Sequence, residues 1–235
     1  MEVFLHKICG QPVQPPVSMQ LRCCTPEQAP AVYALQNEVR AAMPDPEQFV
    51  PDTLENITAY VRKDLCIGAW QGSRLGGYLI VRFCGRSAHN YAAFMDVPRT
   101  EWEHWANADS AIVHADFRGN GLQRLMLEAA LPLFPKKITH IGATVSPQNQ
   151  YSLHNALASG FAIVSRREMY GGHDRYLLAP PRRVALRCYL QAQVVMLPAR
   201  YRCSFYIERS RGSGSGTFLQ NETSRSLEGE GRDIR

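Results

Sequence analysis

No apolar run in this 235-residue chain approaches the ~20 residues needed to span a bilayer. Residues 1–18 hold one lysine, several prolines and no long apolar stretch, which is not the pattern of a secretory leader. Together these absences set the expectation of a cytoplasmic protein without a membrane segment. Ordered cysteine spacing is missing too. Cys9, Cys23, Cys24, Cys66, Cys84, Cys188 and Cys203 are odd in number, irregularly placed and form no CxxC pair or Cys/His zinc pattern. Reduced thiols and no metal site are expected.

The body also lacks an excess of either charge. Residues 1–180 hold 16 Lys+Arg and 16 Asp+Glu, so the net charge of +5 arises in residues 181–235, with the remaining 10 of 26 basic and 5 of 21 acidic side chains. A neutral body has no electrostatic footprint for nucleic acid. The basic residues of the tail are all arginine, and it contains the linker-like run Arg-Gly-Ser-Gly-Ser-Gly. It reads either as a tether to nucleic acid, ribosomes or an acidic partner, or as a translated non-native extension. What is present is an apolar fraction of 45%, enough for an ordinary globular core.

Three segments follow: an irregular N-terminal extension over 1–18, one domain over 19–180, and the arginine-rich tail over 181–235. Met19 opens a strand to Cys24 and is a candidate functional start. Thr25-Pro26-Glu27-Gln28 has the form of a capping box, and the helix after it sets Val32, Leu35, Val39 and Met43 on one face. Asp52 or Thr53 caps a second helix with Leu54, Ile57 and Val61 along its stripe. Strands over 65–70 and 74–83 form a hairpin around Gln-Gly-Ser. Residues 89–106 are aromatic-rich and fit no single pattern. A short strand over 110–114, a glycine turn, and a helix from Leu122 burying Leu125, Met126, Ala129 and Leu133 come next. A strand over 138–145, a helix over 149–159 ending at Gly160, and a hairpin around Gly171-Gly172 complete the domain. Strand–helix–strand from 110 to 145 predicts one parallel crossover in a mixed α/β sheet.

The turn Arg118-Gly119-Asn120-Gly121-Leu122-Gln123 joins a strand to an amphipathic helix. Free amides at a helix start, with the helix dipole behind them, suit a phosphate, and glycine removes the side chains that would block its approach. By itself the hexapeptide is read equally well as a tight turn without a ligand. It lacks the lysine and hydroxyl of a Walker loop and does not satisfy GxGxxG.

The run from Ala111 through His114-Ala115-Asp116-Phe117-Arg118-Gly119-Asn120-Gly121 to Leu122 resembles the acetyl-coenzyme A signature of the GNAT superfamily of N-acetyltransferases. Thr144-Val145-Ser146-Pro147-Gln148-Asn149-Gln150-Tyr151-Ser152, followed by Gly160-Phe161, resembles that superfamily's second block, where an Asn opens a helix that closes in Gly-Phe or Gly-Tyr. The resemblance implies a mostly antiparallel sheet of six to seven strands with about four helices and a splay between the two parallel strands at Val113 and Val145. It implies acetyl-CoA as acyl donor, a primary amine as acceptor, and direct transfer in a ternary complex. The main chain of Ala111, Ile112 and Val113 would pair with the pantetheine arm. The segment Arg118, Gly119, Asn120, Gly121, Leu122, Gln123 and Arg124 would hold the pyrophosphate, and Asn149 and Ser152 would meet the arm from the second helix. Dimers through the last strands are common in the superfamily, so a homodimer is an expectation of the same kind.

Three departures stand out. Gln123 occupies a position that is usually Gly or Ala. Ala156 stands where many members carry a tyrosine acid, and Thr144 where some carry a glutamate base. Tyr151 and His114 are therefore the local candidates for catalysis. Glu101, Glu103 and His104 are candidates for the amine side, as are the hairpin residues Arg166, Arg167, Glu168, Tyr170 and Arg175. Trp70, Tyr91, Phe94, Trp102 and Trp105 are candidates for an aromatic wall. The departures leave a second reading, a non-catalytic acyl-CoA-binding module.

Overall fold

The structure, a computed structural model, describes residues 1–181. The expected tail lies outside the described residues from 182 onward. In chain order the elements are β1 (Glu2–Ile8), β2 (Gln11–Cys23), α1 (Ala29–Ala41), α2 (Leu54–Lys63), β3 (Leu65–Gln71), β4 (Arg74–Arg82), β5 (Trp105–Val113), α3 (Leu122–Ala130), β6 (His140–Val145), α4 (Gln150–Ala158), β7 (Ala162–Met169) and β8 (His173–Ala179). The strands make one eight-stranded sheet in the order β1-β2-β3-β4-β5-β6-β8-β7. Only β5 and β6 run parallel.

Period-two alternation explains how the sheet is covered. In β3 and β4, Cys66, Trp70, Tyr78 and Ile80 face one side, where Val32, Leu35, Ile57 and Val61 of α1 and α2 pack. Ile67, Ala69, Leu79 and Val81 face the other, against Leu122, Met126 and Leu127 of α3, with Leu153 and Ala156 of α4 at the margin. Burying one such aliphatic side chain contributes roughly 1.5–3 kcal/mol. The caps are those read from sequence. The Thr25 amide donates to Gln28 Oε1 at 3.1 Å, Thr53 Oγ1 accepts from the Asn56 amide at 3.1 Å, and Gly160 ends α4 with φ +82°.

Several expectations need correction. Residues 1–18 are not irregular. They form β1 and most of β2, with Val3 opposite Met19 and Leu5 opposite Val17. Val3 and Leu5 are buried, and Met19, 0% exposed, lies inside the strand rather than at its start. A chain beginning at Met19 would strip the cover from this corner of the core. The prolines mislead because they are tolerated here. Pro15 and Pro16 fall in the register shift between the Leu5 and Lys7 pairs, in the part of β2 that no β3 residue pairs with. The sheet therefore has eight strands, not six or seven. β5 begins at Trp105, five residues before the expected strand. Met43 lies beyond α1, Leu54 is exposed on α2, and Leu133 is 52% exposed while Leu127 and Ala130 are buried instead. Pro132 stands in a separate 3-10 turn that rotates Leu133 away from the α3 face.

Candidate functional site

The parallel ladder between β5 and β6 is short, running from Trp105↔His140 to Ala108↔Ala143. Beyond it the strands part. Thr144 and Val145 pair with Leu177 and Tyr176 of β8, while Ser110 to Val113 pair only with β4. The parting begins at a β-bulge. Ser110 is opposite Ile80 and Ala108 opposite Val81, which leaves Asp109 without a partner on β4.

Along the free edge of β5 the antiparallel alternation decides which main-chain groups are open. The His114 amide bonds Gly76 O at 2.9 Å, so Ile112 also turns its main chain to β4, and its side chain is buried. Ala111 and Val113 face the gap. Their carbonyls accept from Gln123 Nε2 and Arg118 Nε, each at 3.2 Å. Of the three residues expected to line the coenzyme arm, two present their main chain to the cleft.

The strand leads into a 3-10 turn over Ala115–Phe117 and then the glycine turn. Gly119 and Gly121 have φ of +80° and +70°, the left-handed region that strains other residues. A Cβ at Gly121 would meet nothing within 4 Å. Gly121 precedes α3 as its cap residue, and the first helical bond is Leu125 N to Gly121 O at 3.1 Å. The amides of Leu122, Gln123 and Arg124 thus have no carbonyl one turn back, and the helix dipole adds to their pull on an anion. An open cradle, free amides and glycines at positive φ fit a pyrophosphate. Arg124 itself lies 3.8 Å from Glu128 one turn on.

Asn120 holds this turn in place. Its Oδ1 accepts from the amides of His6 and Lys7 at 3.1 Å each, and its Nδ2 donates to Lys7 O at 2.8 Å and Phe117 O at 3.1 Å. Phe117, fully buried, anchors the turn in the core.

At the apex of the parting, Asp109 of β5 and Thr144 of β6 are the residues just past the last parallel pair. Two tyrosine hydroxyls join them. Tyr91 Oη donates to Asp109 Oδ1 at 3.1 Å, Tyr91 and Tyr170 hydroxyls are 2.8 Å apart, and Tyr170 Oη is 3.0 Å from Thr144 Oγ1. A hydroxyl has one proton to give. With Tyr91 donating to the carboxylate, Tyr170 must donate to Tyr91 and Thr144 to Tyr170. Burial pushes the Asp109 carboxyl up to about 6, against the opposing pull of Arg82, whose Nη1 is 3.7 Å away. Burial also raises the Tyr91 and Tyr170 hydroxyls, which keeps both protonated. Of this network only Tyr91, Tyr170 and Thr144 drew notice in the sequence. Asp109 carried one faint signal, a polar residue inside an apolar strand.

The other candidates are placed as follows. Asn149 caps α4, its Oδ1 accepting from the Ser152 amide at 3.0 Å, so both residues sit at the helix start beside the end of β6. Tyr151 is 88% exposed. His114 is held by Glu38 at 3.0 Å and lies near Asp116 and Arg74, a charged cluster beside the strand end. Glu101, Glu103 and His104 precede β5, at the opposite end from the parting, where Glu103 pairs with Arg86 and His104 contacts Lys137 O. They lie away from the parting of β5 and β6. Of the hairpin residues, Arg166 pairs with Asp174 and Arg167 with Asp96; Tyr170 reaches the apex, with the buried Arg175 guanidinium 5.6 Å from the centre of its ring. Tyr91, Phe94, Trp102 and Trp105 share one cluster, but Trp70 packs on the other side of the molecule under Arg22.

No protein-family model matches the chain, and no curated protein matches it. Solved structures do. NAA60 of Arabidopsis thaliana in complex with acetyl-CoA aligns with a TM-score of 0.54 at 14% identity, covering 68% of this chain and 98% of that one. A GNAT-family acetyltransferase of Streptococcus pneumoniae aligns at 0.51 and 19% identity, covering 68% and 98%. The acetyltransferase yncA of Salmonella typhimurium with acetyl-CoA aligns at 0.51 and 13%, covering 68% and 92%. The chain therefore has the fold of the GNAT acetyltransferases, and its two parallel strands part at Asp109 and Thr144, earlier than the expected Val113 and Val145.

Proposed function

We propose that this protein is a cytoplasmic N-acetyltransferase that moves the acetyl group of acetyl-CoA to a primary amine by direct transfer. The observation that carries the reading is the alignment along one strand of three parts. These are the phosphate-suited turn, the main-chain edge of Ala111 and Val113 that faces the gap, and a largely buried carboxylate at the apex. Acetyl-CoA supplies the activated acyl group. The amides from Gly119 to Arg124 hold its pyrophosphate. Ala111 and Val113 align its arm as an added strand would, and the Val113 amide polarises the thioester oxygen. Asp109 receives the proton that the attacking ammonium must lose, passed along Thr144, Tyr170 and Tyr91, each already oriented to donate toward it. As Tyr170 gives its proton to the departing thiolate, Asp109 returns the proton it took through Tyr91 to Tyr170, so this hydroxyl stands in for the tyrosine that Ala156 replaces.

Calorimetric titration of the full-length protein with acetyl-CoA tests the coenzyme site. Binding in the micromolar range is expected, with loss of at least tenfold in Gly121→Asp. That side chain has space in the free protein but sets a carboxylate against the pyrophosphate. Thiol release across a panel of amines, absent in Asp109→Asn, then separates transfer from mere binding. No binding by the folded wild type overturns the proposal.

A further inference from the structure

Gln123 is the residue at which the signature departs from its usual small side chain, and it does not lie idle. Its Nε2 donates to Ala111 O of β5 at 3.2 Å, and its Oε1 accepts from Asn155 Nδ2 of α4 at 2.9 Å. Asn155 stands on the helix that follows β6, so the pair crosses from the free edge of β5 to the β6 side of the parting. Arg118 Nε takes the other outward carbonyl, Val113 O. Both acceptors that an extended ligand would use on β5 are thus filled by side chains from the turn.

Resting on the coenzyme reading above, we propose that Gln123 is a gate on the acyl-CoA cleft. Its carboxamide stands in for a pantetheine amide at Ala111, and the coenzyme must displace it to bind. The chemistry favours exchange over a permanent block. A pantetheine amide replaces a glutamine amide on the same carbonyl, so the strand edge is satisfied in both states. The closed state spares the free protein an unpaired strand edge in the cleft. Because both bonds are neutral and exposed, the gate is shallow. It reduces the competent population, and with it the apparent affinity, by about three- to tenfold.

The test is stopped-flow and calorimetric binding of acetyl-CoA to the full-length wild type, Gln123→Ala, Asn155→Ala and the double variant. The gate requires Gln123→Ala to bind about three- to tenfold faster and tighter. Asn155→Ala, which leaves the helix start untouched, should move the same way by less, and the double variant should match Gln123→Ala. Weaker or unchanged binding in Gln123→Ala, with a wild type that binds, overturns the gate and leaves the coenzyme site standing. No binding in any variant overturns the coenzyme reading and the gate with it. Side-chain amide resonances report the bridge without ligand. Slowed hydrogen exchange at Asn155 that Gln123→Ala abolishes supports it, and fast exchange in the free wild type overturns it.

Discussion

Asn120 and Lys7 exchange two hydrogen bonds across 113 residues of sequence, both between the Asn120 carboxamide and the Lys7 main chain, and the carboxamide accepts a third from the neighbouring His6 amide. The first strand of the chain is therefore the outer support of the turn proposed to hold the coenzyme's phosphates. Because the bonds go to the main chain, the identity of the Lys7 side chain does not matter to them.

Asn120→Ala should lower stability by about 1–3 kcal/mol and weaken acetyl-CoA binding several-fold, since the turn loses its tie to β1. Lys7→Ala keeps those bonds and should stay within about 0.5 kcal/mol of wild type. Urea unfolding of the two variants side by side checks the contrast. Equal losses would mean that the lysine side chain holds the strand as much as the asparagine does.

Asp109 should leave two marks on pH dependence. As the proton acceptor it must be ionised, so kcat/KM should rise as pH increases through about 6, and Asp109→Asn should lose that limb with most of its rate. Stability should move the opposite way. The native carboxyl binds its proton more tightly than the unfolded one, so raising pH from about 4 to 6 costs about 2 kcal/mol of a full-range total of about 3, which Asp109→Asn is spared. Melting curves at pH 4, 5, 6 and 7 for both proteins measure it. A wild type no more pH-sensitive than the variant across this range would exclude a buried, shifted Asp109.

Tyr170→Phe breaks the relay between Thr144 and Tyr91 without removing the ring. Turnover should fall at least tenfold while the KM for acetyl-CoA stays within about twofold, because the hydroxyl acts in the transition state. A KM change with turnover intact would reassign Tyr170 to binding.

Gly76→Ala tests the seat of the turn. A Cβ there would come 2.5 Å from the Phe117 ring and 2.7 Å from Met19 Cε. The methionine can yield, but the ring cannot move without shifting the turn. The variant should lose about 1–3 kcal/mol in thermal unfolding and bind acetyl-CoA less tightly. Unchanged stability would show that the ring has room to give.

The parts legible in sequence are those whose physics is local. A threonine or asparagine that satisfies free amides marks a helix start, as at Thr53 and Asn149. A glycine at positive φ marks a turn or a helix end, as at Gly121 and Gly160. A Gln-Gly-Ser turn followed by the unbroken apolar run Tyr78 to Val81 marks β4. Each depends on neighbours a few positions away, and each stands where the sequence puts it.

What tertiary structure alone decided is whatever depends on residues far apart in the chain. The first half of β2, and with it the pairing of β1, was hidden because prolines normally argue against a strand, and only the register with β1 shows that Pro15 and Pro16 fall where no ladder bond is needed. Asp109 reads in sequence as an ordinary polar residue. The bulge that frees it, the burial that raises its pKa and the tyrosines from two other segments that reach it exist only in the folded sheet. Gln123 was visible as a departure, but its meaning waited for Ala111 and Asn155, which the parting of two strands sets on either side of it. Caps and turns are written in adjacent residues. The proposed proton relay and gate join residues that the chain brings together only by folding, and no short window of sequence contains both of their ends.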